Sequence, residues 1–215
     1  MNSSRSLSNP VVPLFPAHPR KLNREFYTRP LITVAKELLG KILVKTDNSR
    51  HSTQSLKVYT QVIPAAQIQN VHDSNTHKLF PNFLAGIIVE VEAYDGSVDE
   101  AAHTFIGKTK RNEIMFRQGG YLYVYFTYGV HFCSNVVTGK EGQGTAILIR
   151  ALQPVSGIPE MINNRFGRDL KNDKEKLNLT NGPGKICQAF KINKDHYGAD
   201  LTGNEIFIIY TKFLV

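Results

Sequence analysis

Glu92, Tyr94 and His103 are residue types suited to hydrolysis by an activated water, and they stand close together in the chain. A carboxylate partly withdrawn from solvent beside a phenol can take a proton from water. In the stretch AGIIVEVEAYD, residues 85–95, period-two alternation puts Glu90, Glu92 and Tyr94 on one face with Ile88. Ile87, Val89, Val91 and Ala93 fall on the other. Neighbours on one face are about 6.6 Å apart, two steps of a strand. A plainer reading also stands: the two glutamates line a solvated strand face, and His103 is a satisfied helix histidine.

Tyrosines make the second candidate. GGYLYVYFTYGVHFCSNVV, residues 119–137, has β-formers on both sides of a glycine turn, the pattern of a hairpin. Alternation sets Tyr121, Tyr123, Tyr125 and Thr127 on one face and Leu122, Val124, Phe126 and Tyr128 on the other. Each buried hydroxyl needs a hydrogen-bond partner, which makes such a face unusual for a plain core. Aromatic faces can stack on nucleobases and attract cationic rings. Tyr128 sits where strand gives way to turn, a place from which a side chain can wedge into a duplex. The plainer reading is a β core with hydroxyls at its rim.

Other motifs carry less. Asn181-Gly182-Pro183-Gly184-Lys185 opens a helix and could hold an anion. It is no Walker loop, because Leu179 stands where the first glycine belongs and Ile186 replaces the Ser or Thr. Gly139–Gly144 lacks dinucleotide-binding spacing and precedes a strand, which excludes that cofactor class. Cys133 and His131 are too close along one strand to suggest a nucleophile pair. The zinc-deaminase signature is absent, and His51, His72 and His77 show no helical ligand spacing. No metal and no cofactor is expected.

The elements that must position these residues fit one mixed α+β domain. Residues 1–20 are polar and proline-rich, and read as a disordered basic leader. The remainder, 21–215, reads as the domain proper. It is interrupted by a polar insertion at 46–82 that loops out, with a short strand at 56–63 inside it. Thr33 is expected to cap a helix over 34–39 ended by Gly40, followed by a strand at 41–45. Ser97 to Glu100 reads as a capping box opening a helix through Thr104, and 111–116 as another short helix. Strands at 145–153 and 205–210, helices at 159–165 and from the Asn181–Lys185 opening through about Phe190, and a charged loop at 168–176 complete the chain. Arg150 interrupts its apolar strand, so it must pair with a carboxylate or face a charged ligand. The net charge of +8 over 215 residues points to a polyanionic partner. Two separated cysteines suit a reducing compartment. With no apolar run near the roughly 20 residues of a membrane span, a soluble, intracellular protein is expected, with no membrane partner.

The runs IVEVEAYDGSVDEAAHTFIGKTKRN, MFRQGGYLYVYFTYGVHFCSNVV, AILIRALQPVSG and NGPGKICQAF occur in that order, after LITVAKELLGKILV. Together they resemble the alkyladenine (methylpurine) type of 3-methyladenine DNA glycosylase from about Leu31 to Leu201. The resemblance implies a curved, mostly antiparallel sheet with short surrounding helices and a protruding hairpin that intercalates into duplex DNA. It also implies a monomer without metal or redox cofactor, nuclear in a eukaryote and cytoplasmic in a bacterium.

By the same resemblance, Glu92 matches the residue that activates water, and Arg150 one that helps hold that water and the backbone. Tyr94, His103 and Tyr125 match side chains around the flipped base, and Asn135 the one that crowds the exocyclic amine of guanine. Tyr128 and Val130 match the intercalating tip, and Arg111 and Lys185 contacts to the DNA backbone. The implied reaction is hydrolysis of the N-glycosidic bond of alkylated or deaminated purines, hypoxanthine among them, leaving an abasic site. No lysine falls on a motif position beside Glu92, so strand cleavage is not expected. Val130 stands where the family has methionine, the 46–82 insertion exceeds the usual connection, and IFIIYTKFLV ends short of the family's usual final segment. These departures keep open a second reading, a catalytically impaired protein of the same fold that binds damaged DNA.

Overall fold

Alternating β-branched and aromatic residues form six strands: β1 (Ile42–Thr46), β2 (Phe83–Asp95), β3 (Leu122–Thr127), β4 (His131–Thr138), β5 (Thr145–Ser156) and β6 (Ile206–Ile209). The computed structural model describes residues 20–46 and 83–210. Apart from Arg20 and Thr46, the expected leader and the insertion, with its strand and three histidines, lie outside the described residues. The sheet order is β3-β4-β5-β2-β1-β6 and every neighbour is antiparallel. Around this curled sheet lie five short helices: α1 (Arg24–Tyr27), α2 (Leu31–Leu38), α3 (Ile158–Phe166), α4 (Asp173–Leu177) and α5 (Pro183–Ala189). The expected single α+β domain is what forms. Among the described residues no helix is long and apolar enough to cross a membrane.

One sheet face carries the main core. Val34 and Leu38 of α2, Met161 of α3, and Ile186 and Phe190 of the α5 segment pack with Ile88, Leu122, Val136, Ile147 and Ile149. The opposite face has two smaller clusters, one around Ile42, Val44 and Phe207 and one around Met115, Tyr123 and Ala146. Tyr123 and Tyr125 belong to the second of these.

The strand carrying Glu92 departs from simple alternation. Ile88 pairs with Leu152 and Val91 with Ile149, but between them Glu90 pairs with Ala151, an irregularity in both strands. Ile88, Val91 and Ala93 consequently pack into the same core, whereas Ile87 packs with Ile42 and Phe207 on the other side. The expectation that Ile87 shares a face with Val91 and Ala93 is therefore corrected. Glu92 and Tyr94 share a face as expected.

Three local expectations are also corrected. Helix α2 starts at Leu31 with Pro30 as its N-cap, so Thr33 lies inside it. The Pro30 carbonyl accepts from the Val34 N–H at 3.1 Å, and proline's fixed φ suits a helix entrance. Residues 96–106 form successive turns and no helix. Asp95 Oδ1 takes the N–H of Ser97 and Asp99 Oδ1 that of Ala101, both at 2.9 Å, so these carboxylates compete with helix formation. The charged loop at 168–176 contains α4, because Asn172 caps Glu175 at 3.0 Å and Arg168 pairs with Glu175 at 2.8 Å.

Candidate active site

Sheet pairing gathers the chemistry-bearing residues. Tyr123 of β3 pairs with Asn135 of β4, Asn135 with Leu148 of β5, and Leu148 with Glu92 of β2. Directly paired residues point to the same side of a sheet, so Tyr123, Asn135 and Glu92 lie along one row. In the next row Val137 pairs with Ala146, and Ala146 with Tyr94. Tyr125 faces Cys133 on the other flank.

Glu92 is held at both oxygens. Arg150 Nε lies 2.9 Å from Oε1, and the Tyr94 hydroxyl donates to Oε2 at 2.7 Å. The expected carboxylate for Arg150 is thus Glu92. Each carboxylate oxygen has two lone-pair sites, so a further acceptor position remains on each. The Glu92 and Arg150 side chains are each 41% exposed, which leaves solvent access. Burial, followed by the hydrogen bond to Glu92, pushes the Tyr94 phenol up to about 12, so it stays a donor.

A second network surrounds His103. Its Nδ1 is 2.9 Å from the Tyr123 hydroxyl, and its ring meets Tyr125 edge-on at 4.5 Å between centroids. Tyr123 and Tyr125 stack at 5.3 Å and 22°. Asn112 Nδ2 ties the turn segment down by donating to the carbonyls of His103 at 2.8 Å and Gly107 at 3.0 Å. Burial, and then the Arg111 charge, lower the His103 pKa, favouring the neutral imidazole. Tyr125 rises through burial and then through Cys133, its cross-strand partner. Asn135 is 5% exposed and its Oδ1 has no partner. An unmade hydrogen bond at a buried polar atom costs free energy.

The remaining predicted residues are more dispersed. Tyr128 is 93% exposed and Val130 63%, at the tip between β3 and β4. Tyr128 has φ of 51° and Gly129 67°, both left-handed. Arg111 donates to the Phe126 carbonyl at 3.4 Å, beside the hairpin. Lys185 Nζ is held by Asn178 Oδ1 at 2.8 Å and Asn181 Oδ1 at 2.7 Å. Its pKa is lowered by burial first, then by Arg165 and Arg150.

Sequence reasoning gave no site role to Tyr123 or Cys133. Tyr123 was signalled by its place two residues before Tyr125; Cys133 becomes visible only once the hairpin register is known.

Residues 75–213 match the model of the family described as methylpurine-DNA glycosylase (MPG). The chain belongs to that family. It is 39% identical to a protein of Clostridium novyi over 196 residues, covering 90% of this chain and 81% of that one. A protein of Alkaliphilus oremlandii is 41% identical over 191 residues, 87% of this chain and 79% of the relative. One of Desulfitobacterium hafniense is 40% identical over 192 residues, 88% and 79% respectively. All three carry the provisional name 3-methyladenine DNA glycosylase.

Proposed function

We propose that this methylpurine-DNA glycosylase family member removes alkylated or deaminated purines from duplex DNA through a water activated by Glu92. The observation that carries the reading is Glu92 itself, bound by Arg150 and Tyr94 yet with acceptor sites free, in one row with Asn135 and Tyr123. A damaged purine leaves the stack and enters between Tyr94 and the His103–Tyr125 pair; weakly paired lesions cost least to extrude. An alkylated purine is cationic, and the tyrosine faces favour it. Asn135 crowds the exocyclic amine that normal guanine carries. Glu92 takes a proton from water as the water attacks C1′, and its negative charge stabilises the cationic sugar of the transition state. Arg150 holds the carboxylate in place.

Tyr128 fills the gap in the stack, with Val130 beside it against the minor groove. Its left-handed backbone is a strained conformation for tyrosine. Strain of this kind persists where it serves a purpose, here holding the ring away from the body of the protein. Arg111 and Lys185 contact the DNA backbone. The domain spans residues 21–215, acts as a monomer, and works in the bacterial cytoplasm.

Base release from duplexes containing 3-methyladenine, hypoxanthine or ethenoadenine tests this reading. Release leaving an uncut abasic strand supports it. Tight lesion binding without release at high enzyme concentration would select the binding-protein reading. A lysine–DNA adduct trapped by borohydride would overturn the monofunctional mechanism; Lys185, with its lowered pKa, is the amine to examine.

A further inference from the structure

His131 opens β4 immediately after the tip, and it is exposed. Its imidazole lies directly on α5. A Cβ placed on Gly184 would stand 3.1 Å from both Cβ and Cγ of His131, so a side chain at position 184 would crowd the ring. On the same helix, Gln188 Nε2 is 3.4 Å from His131 Nδ1. Gln188 Oε1 in turn lies 3.4 Å from Arg165 Nε on α3. Arg165 is itself anchored, Nη1 donating to the carbonyls of Asn178 and Leu179.

The donor and acceptor roles along this chain follow from the guanidinium at its end. A guanidinium only donates, so Gln188 Oε1 is the acceptor and the amide NH2 faces His131. An amide NH2 also only donates, so His131 Nδ1 must offer its lone pair. The neutral ring then carries its proton on Nε2. The arrangement yields a single N–H donor, oriented by two helices, beside the exposed tyrosine of the tip.

Resting on the DNA-glycosylase reading above, we propose that His131 is a minor-groove donor whose Nε2–H bonds the acceptor edge of a base pair flanking the lesion. Purine N3 and pyrimidine O2 offer acceptors there, and the minor-groove pattern is largely degenerate between sequences. One donor therefore grips any flanking pair without choosing among them, which suits an enzyme that must find a lesion in any sequence. The other tautomer would present a lone pair to those acceptors and repel them. His131 is a positioning residue, and Gln188 and Arg165 act through it.

The test is affinity for a duplex with a tetrahydrofuran abasic site, measured with flanking adenines intact or replaced by 3-deazaadenine, which has CH in place of N3. Each flank is replaced separately. Wild-type protein should lose about three- to tenfold in affinity on one flank, the loss of one neutral hydrogen bond. His131→Ala should lose the same factor on the intact duplex and nothing more on the deaza duplex. Gln188→Leu keeps the imidazole but frees its tautomer, and should blunt the deaza effect. His131→Gln, which restores a donor, should recover part of it. Thermal melting checks that each variant folds, and the wild-type comparison needs no variant. Wild-type indifference to both deaza flanks, or an equal deaza penalty in wild type and His131→Ala, overturns the proposal. Base release from lesion duplexes is scored separately, so a binding protein without turnover would show the deaza effect and no release.

Discussion

Replacing Glu92 with glutamine tests the proposed chemistry most directly, because the hydrogen-bond network can survive the change. Arg150 Nε and the Tyr94 hydroxyl now donate to the two oxygens at 2.9 and 2.7 Å. Glutamine can keep its oxygen toward Arg150 and turn its NH2 toward Tyr94, whose hydroxyl then accepts instead of donating. Shape and pairing are preserved while the base and its charge are lost. With both charged side chains 41% exposed, the ion pair contributes little to stability, about 0.2–1 kcal/mol for pairs of this kind. The melting temperature should then move by no more than about 4 °C. Loss of a general base typically costs about 10²- to 10⁴-fold in rate, or about 2.7–5.4 kcal/mol at 1.36 kcal/mol per decade. The assay is single-turnover base release with enzyme in excess, beside binding to a tetrahydrofuran duplex. Release within tenfold of wild type would refute the role of Glu92. A melting temperature lowered by more than about 10 °C would show a structural role instead.

Tyr94→Phe keeps the ring and removes the hydroxyl at Glu92 Oε2; single-turnover release should slow about tenfold, with duplex affinity nearly unchanged. Tyr128→Gly removes an aromatic side chain and relieves a φ of 51°. It should weaken tetrahydrofuran-duplex binding by about tenfold or more, since a stack is worth about 1–3 kcal/mol, while melting shows no loss of stability. In Gly119→Ala the new methyl would overlap the Tyr27 carbonyl and crowd Thr138 Cα, both backbone groups. Overpacking of this kind costs about 1–3 kcal/mol, visible as a lower denaturation midpoint. Burial lowers the pKa values of both His103 and His196 from 6.5, so the unfolded chain binds protons more readily than the folded one. Stability from these groups is present above about pH 6.5 and falls as pH drops through the folded values, and His196→Asn should flatten that slope in melts taken from pH 7.5 to 5.5.

Much of this architecture could be read from residue pattern, and what could not was cooperative. The hairpin faces followed directly from alternation: Leu122 and Val124 are in the main core, and Tyr121, Tyr123 and Tyr125 on the opposite side. Short helices were less legible, because side chains decide them. Asp95 and Asp99 bond nearby N–H groups and turn 96–106 away from a helix, whereas Asn172 does the reverse at α4. The Asn135 oxygen left without a partner, and the Arg165–Gln188–His131 chain across two helices and the hairpin, depend on packing that no local spacing reports.

The irregularity shared by β2 and β5 shows why the Glu92 strand needed its partner to be understood. A break of alternation in one strand alone would shift the register and carry Glu92 out of the Asn135 row. Here Ile88–Leu152 and Val91–Ile149 are in the same register on either side of the break, so both strands change face together. The main core keeps Ile88, Val91, Ile149 and Leu152 on one side. Glu92 and Tyr94 are thereby sent to the tyrosine side, and Arg150, inside the break, reaches Glu92 at 2.9 Å. Two strands that each carry a charge in an apolar run thus satisfy the charges against each other beside this break in their alternation.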